Sequence, residues 1–93
     1  MLITGKEILT VAQRNKFAVP AFNAGSGQLF TAVLESAEKL NAPFMIEIHP
    51  DELSFLRDSF IAQVREAAHK SNIPVCIHLD HGANYEQIIH AIQ

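Results

Sequence analysis

Four consecutive residues, His78-Leu79-Asp80-His81, place two imidazoles and a carboxylate in one short run. Imidazole nitrogen suits Zn²⁺, and a carboxylate beside it can ligate, orient a ligating ring or carry a proton. In a regular strand His78 and Asp80 share a face and His81 points to the other. Asp80 and His81 therefore reach one pocket only if His81 lies past the strand end. Gly82 directly afterwards makes that bend cheap. Two other places gather polar groups at the end of an apolar run: Asn23, and the pair Glu47 and His49. His78 reads as a hydrogen-bonded or core residue rather than a ligand, and His69 and His90 fall off the apolar stripes of their segments and should be exposed. Cys76 reads as a small buried strand residue, with no cationic neighbour in sequence to activate it. Gly25-Ser26-Gly27 lacks the third glycine and distal acid of a dinucleotide fingerprint and reads as a flexible turn.

The elements that must position these groups follow from spacing. Thr4 with Glu7 has capping-box spacing and opens a helix to about Asn15, striped by Ile8, Leu9 and Ala12. Residues 17–23 are an apolar run read as a strand, although Pro20 cannot donate to a ladder. Ser26 or Gly27 caps a strongly amphipathic helix carrying Leu29, Phe30, Val33, Leu34, Ala37 and Leu40, which Asn41-Ala42-Pro43 ends. Residues 44–49 form a second strand stopped by Pro50. Residues 51–57 show no clear period and read as loop, and a helix follows over about 58–70 with Phe60, Ile61, Val64, Ala67 and Ala68 inward. A third strand spans 75–81, and Asn84 with Gln87 opens a last helix striped by Tyr85, Ile88, Ile89 and Ile92. The order is a leading helix and three strand-plus-helix units, the repeat of a parallel α/β fold. Strands two and three are apolar at nearly every position, as expected of strands covered on both faces. In such folds the site lies beyond the C-terminal strand ends, which is where the polar residues collect.

Composition narrows the partners. The chain has 93 residues, 48% hydrophobic and 18% charged, which excludes a disordered tail but falls well short of the roughly 250 residues of a closed (β/α)₈ barrel. A net charge of −3 with scattered basic residues argues against nucleic acid, which needs a concentrated cationic footprint. A single cysteine excludes an intrachain disulfide and makes a cytoplasmic protein the default expectation. No signal-peptide pattern and no apolar run near the roughly 18 residues of a membrane span are present, so no membrane partner is expected.

With these motifs assembled, Ile77-His78-Leu79-Asp80-His81-Gly82 resembles the signature of the class II, zinc-dependent ketose-bisphosphate aldolases, which act on fructose or tagatose bisphosphate. The opening Leu2-Ile3-Thr4-Gly5-Lys6-Glu7, the run Ala18-Val19-Pro20-Ala21-Phe22-Asn23, the helix Ala32-Val33-Leu34-Glu35-Ser36-Ala37-Glu38, Ala42-Pro43 and Ile73-Pro74-Val75 extend the resemblance in order along the chain. It implies the N-terminal part of a (β/α)₈ TIM barrel, with residues 1–93 as the first third of one domain. It further implies Asp80 as the acid/base for the C4 hydroxyl, His81 as one of three histidines holding the catalytic zinc, and Asn23 beside the dihydroxyacetone-phosphate end of the substrate. A sugar phosphate is the implied substrate and a homo-oligomer the implied assembly. Zinc as a Lewis acid makes a Schiff-base lysine unnecessary.

Two departures bear on this. The family commonly has a serine and small residues after strand two that help bind a phosphate, whereas this chain has Glu47-Ile48-His49-Pro50-Asp51, whose carboxylates repel phosphate. The sequence also stops before the other zinc histidines and glycine-rich phosphate loops, so these 93 residues alone are expected to be inactive. Two alternatives stay open: a metal-dependent lyase or hydrolase of the same barrel acting on a less phosphorylated substrate, and a non-catalytic α/β module that self-associates.

Overall fold

Thr4 starts the first helix as its spacing predicts. Its Oγ1 accepts the Glu7 amide at 3.2 Å, while Glu7 Oε2 accepts the Thr4 amide at 2.8 Å. The backbone bond from Thr4 and then its hydroxyl hold the Glu7 carboxyl below the usual carboxylate range. The computed structural model describes all 93 residues: α1 (Gly5–Asn15), β1 (Ala21–Asn23), α2 (Gly27–Leu40), β2 (Phe44–Ile48), α3 (Pro50–Lys70), β3 (Val75–Leu79) and α4 (Tyr85–Ile92). Ser26 caps α2 by accepting the Leu29 amide at 3.1 Å, and Asn84 caps α4 by accepting the Gln87 amide at 2.9 Å. Lys16 and Asn41 close α1 and α2 in the left-handed conformation. No helix is long and apolar enough to cross a membrane.

The three strands form one parallel sheet in the order β1-β2-β3. Register assigns every strand residue to one of two faces. Phe22, Ile46 and Ile77 pair in one row, and Phe44, Ile48, Val75 and Leu79 share their face by alternation. This is the face that α2 and α3 cover. Phe44, Ile46, Val75 and Ile48 are sealed there with Phe30, Phe60, Val64 and Ala68 in one core cluster. The opposite face begins with Ala21, Met45 and Cys76 in a row. Gly5 of α1 approaches that row, because a Cβ built on it would lie 3.7 Å from Met45 Cε and 3.8 Å from Cys76 Sγ. α1 therefore floors this face at the N-terminal ends of the strands. Burial there raises the Cys76 thiol pKa, as an inert packing residue requires.

The structure corrects several expectations. Residues 51–57 are helical rather than loop. Pro50 fills the first turn, where a missing amide costs nothing, and His49 and Glu52 cap it reciprocally. The expected period is absent because α3 is two helices broken at Arg57, with φ 62 and ψ −170, so no single stripe runs through it. The first strand shrinks from 17–23 to Ala21–Asn23. Lys16 turns left-handed, and Pro20 offers only its carbonyl, to the Met45 amide at 2.9 Å. Strands two and three are not covered on both faces: Met45, Glu47 and Ile77 are half-buried and His78 is exposed. Leu9, Leu29, Tyr85, Ile88 and Ile92, expected on inward stripes, are exposed, because each flanks its helix on a side that no other element of this chain covers.

Arg57 yields a stability prediction. A side chain at its φ and ψ occupies a region that is almost a glycine preserve, at a cost of roughly 1–3 kcal/mol. Arg57→Gly should relieve that strain and stabilise the protein by about 1 kcal/mol after the greater entropy of the unfolded chain is subtracted. A urea midpoint at or below that of the unchanged protein would show that the backbone there is unstrained.

Candidate active site at the strand ends

Alternation and register place the polar groups in one layer above the apolar floor. Asn23 pairs with Glu47 across β1 and β2, and Glu47 with His78 across β2 and β3, so all three residues stand in one row on the face opposite α2 and α3. Asp80, two residues beyond His78, continues on that side. Donor atoms of Glu47, His78 and Asp80 all lie within 4.8 Å of one another. His78 Nδ1 is 3.5 Å from Glu47 Oε1, with the histidine side chain 46% and the glutamate 25% exposed. The sequence places Glu47 among the strand-end polar groups, as a departure from the family pattern, and reads His78 as hydrogen-bonded or core. The structure makes His78 an exposed neighbour of Glu47. The signal that finds this row is positional: each of the three residues falls at or one residue before the end of its strand.

Asp80 and His81 do come together, as the sequence requires them to if they share a pocket. The ladder stops at Leu79, and the Asp80 amide donates to Ile48 O at 3.0 Å, pinning the chain as it leaves the sheet. His81 adopts φ 60 and Gly82 φ 72, and the Gly82 amide donates to Asp80 O at 2.7 Å, so the bend takes in the histidine as well as the glycine. The tight turn brings His81 Nε2 within 3.6 Å of Asp80 Oδ2, with the aspartate side chain 25% exposed and the histidine 68%. Gly82 suits its positive φ, and a Cβ there would meet Ile88 Cγ1 at 3.2 Å, so that side chain would have to give by a few tenths of an ångström.

His49 joins this group from β2. Its Nδ1 accepts the Asp51 amide at 3.2 Å as the cap of α3, its own amide donates to Glu52 Oε2 at 3.3 Å, and its ring lies edge-on to His81 with centroids 5.2 Å apart. No lysine or arginine pairs with Glu47 or Asp80; their charge partners are His78 and His81. His90, as expected, is exposed and pairs with Asp58 at 2.9 Å, and His69 is also exposed. A concavity of about 1070 Å³ lies between β3, α3 and α4. His78 and His81 reach its wall and Asn23, Glu47 and Asp80 do not, so the concavity adjoins the strand-end layer at its β3 side.

Imidazole and carboxylate donors in a half-exposed layer fit a borderline cation such as Zn²⁺; the donors that converge are those of Glu47, His78 and Asp80, while His81 stands outside that group with its Nε2 3.6 Å from Asp80 Oδ2. The polar layer at the carboxyl ends of parallel strands is also where α/β barrels place their chemistry.

Comparison with known proteins gives the family and the fold. The model of the family described as fructose-bisphosphate aldolase class-II matches residues 3–93. The fructose-bisphosphate aldolase of Thermus caldophilus is 32% identical over 93 residues, covering 100% of this chain and 30% of that protein. The fructose-bisphosphate aldolase of Rhizobium meliloti is 33% identical, covering 98% and 26% respectively. This chain thus spans about a third or less of the length of these curated relatives. Among solved structures, the YdjI aldolase of Escherichia coli K12 superposes with a TM-score of 0.88 over 99% of this chain and 36% of its own, at 24% identity. A putative fructose-1,6-bisphosphate aldolase from Coccidioides immitis gives 0.85 over 90% and 29%, at 26% identity. The leading helix and three parallel βα units are accordingly the N-terminal part of a TIM barrel, and the chain belongs to the class II fructose-bisphosphate aldolase family.

Proposed function

We propose that residues 1–93 are the N-terminal third of a single (β/α)₈ domain that catalyses zinc-dependent aldol cleavage and condensation of a ketose bisphosphate. The observation that carries this reading is the pairing of Asp80 with His81 at the end of β3, in a chain of this family. In the cleavage direction the Asp80 carboxylate takes the proton from the C4 hydroxyl as the C3–C4 bond breaks. C4 leaves as an aldehyde and the electron pair stays on C3. In condensation the same carboxylic acid returns the proton to the new C4 oxygen. His81 is one metal ligand, and further ligands come from outside these 93 residues. A bound Zn²⁺ supplies Lewis acidity toward the ketose oxygens, which removes the need for an imine-forming lysine. In this reading Asn23 hydrogen-bonds the triose-phosphate half of the substrate, a role its position at the β1 end of the row supports. The protein acts in the cytoplasm and as a homo-oligomer in this reading.

One observation favours a second substrate class on the same barrel. The N-terminus of α3, a natural phosphate cradle, is already taken by the His49 and Glu52 caps and carries the acidic side chains of Asp51 and Glu52. A metal-dependent lyase or hydrolase acting on a less phosphorylated sugar would need no phosphate there. Steady-state assay of the complete polypeptide separates the two. The bisphosphate reading expects kcat/KM to be highest for fructose or tagatose 1,6-bisphosphate. Preference for a monophosphorylated ketose, with both bisphosphates inert, would overturn it.

A further inference from the structure

We propose that His49 is a positioning residue that holds the ring of His81 in its metal-ligating orientation. The inference rests on the reading of His81 as a metal ligand. The problem it answers is local. His81 lies past the last ladder hydrogen bond, on a left-handed backbone, with its side chain 68% exposed. An imidazole so placed samples several rotamers, and each one that must be given up weakens metal binding. Asp80 approaches it at 3.6 Å through one carboxylate oxygen, beyond hydrogen-bond range. Its other defined contact is the edge-to-face packing of the His49 ring, with centroids 5.2 Å apart and planes inclined at 64°. That geometry is the favoured one for two aromatic rings.

His49 is fitted to this task because its own ring is fixed. It stands between the last residue of β2 and the first of α3, with Pro50 buried behind it. Nδ1 accepts the Asp51 amide at 3.2 Å, which sets the ring plane. The backbone is held from the other direction by the bond from the His49 amide to Glu52 Oε2 at 3.3 Å. Aspartate, asparagine, serine and threonine are the usual caps. The histidine achieves the same hydrogen bond and adds a flat surface that a hydroxyl lacks. β2 and α3 thereby hold a residue of the β3 loop, and the sheet links the two through the Asp80 amide and Ile48 O.

Two substitutions separate the ring from the cap. His49→Ser keeps an acceptor of the preferred kind for the α3 amides and deletes the aromatic contact. His49→Phe keeps the contact and deletes the acceptor. The measurement is the Zn²⁺ dissociation constant of the metal-stripped complete polypeptide, by competition with a chelator, alongside thermal melts and His81→Ala as a control. Losing a group that orients a ligand weakens binding by 10- to 100-fold in typical sites, and a packing contact belongs near the lower end. His49→Ser should therefore weaken Zn²⁺ binding about tenfold with little change in melting. His49→Phe should bind within a factor of about three of the unchanged protein while melting lower. Unchanged affinity in His49→Ser, with affinity lost in His81→Ala, overturns the positioning role alone. Equal weakening in the serine and phenylalanine variants overturns it too, by assigning the effect to the cap. Unchanged affinity in His81→Ala instead removes His81 from the metal site, and the reading beneath the proposal goes with it.

Discussion

Asp80→Asn in the complete polypeptide is expected to lower kcat for aldol cleavage by roughly 10²- to 10⁴-fold, the usual contribution of a positioned acid/base, while leaving bound zinc in place. The substitution keeps the shape of the side chain and an oxygen to face His81, so the turn that brings the two within 3.6 Å should survive. The backbone there is held by the Asp80 amide to Ile48 O and by the Gly82 amide to Asp80 O, and neither bond involves the carboxylate. Only the capacity to take and return a proton is lost. The effect should therefore fall on kcat more than on KM, because the interaction removed is one made chiefly in the transition state. Product formation followed by a coupled assay, with metal content measured on the same sample, provides the check. An Asp80→Asn enzyme with near-normal kcat would transfer the acid/base role elsewhere, and Glu47 would become the first alternative because its donor atom lies within 4.8 Å of those of Asp80 and His78.

The second large effect is on stability. Phe44 is fully buried, with its ring 6.4 Å from that of Phe22, and it belongs to the cluster that joins the helix-covered sheet face to α2 and α3. Phe44→Ala should cost about 3–5 kcal/mol, from the lost transfer energy and the cavity left behind. Against a total of roughly 5–15 kcal/mol for a typical protein, that suffices to unfold a marginal one. Phe55 supplies the contrast: it is the same residue type but 83% exposed on α3, and Phe55→Ala should change stability by less than about 0.5 kcal/mol. Urea midpoints for the pair, converted with a common m-value, test which aromatic side chains form the core. Equal effects from the two substitutions would contradict the burial described above.

Local chemistry decided which parts of this fold could be read from the sequence. The caps Thr4, Ser26 and Asn84 act through hydrogen bonds spanning three residues, so they are visible in any window that contains them. The stripe of Phe60, Val64 and Ala68 is visible for the same reason. The helical turns before Arg57 were hidden because their start depends on a histidine serving as a cap, and their end on a backbone conformation that an arginine rarely adopts. The first strand was overestimated because an apolar run carries no record of which residues find a ladder partner. Pro20 signalled the limit, and only Ala21–Asn23 pair. Exposure of Leu29, Tyr85 and Ile92 has another origin. An amphipathic stripe reports that a face is apolar and not what lies against it. In a complete barrel further βα units would cover these flanks, in keeping with a chain about 30% as long as its Thermus relative.

The candidate site divides the same way. Asp80, His81 and the need for a bend at Gly82 were legible because they lie within three residues of one another. That Asn23, Glu47 and His78 sit at strand ends is legible as well; that they stand in one row is not, because parallel register across three strands separated by helices sets it. The edge contact between His49 and His81 likewise joins two loops that are far apart in sequence.

The aldol chemistry proposed for this strand-end layer uses a metal rather than an imine. Release of dihydroxyacetone phosphate from fructose 1,6-bisphosphate by the complete polypeptide, measured before chelation, after chelation and after zinc is restored, tests it most directly. Activity is expected to disappear with the metal, return with Zn²⁺ and be indifferent to borohydride added with substrate. Cleavage that survives chelation and is abolished irreversibly by borohydride in the presence of substrate would contradict it, since that is the behaviour of a lysine imine.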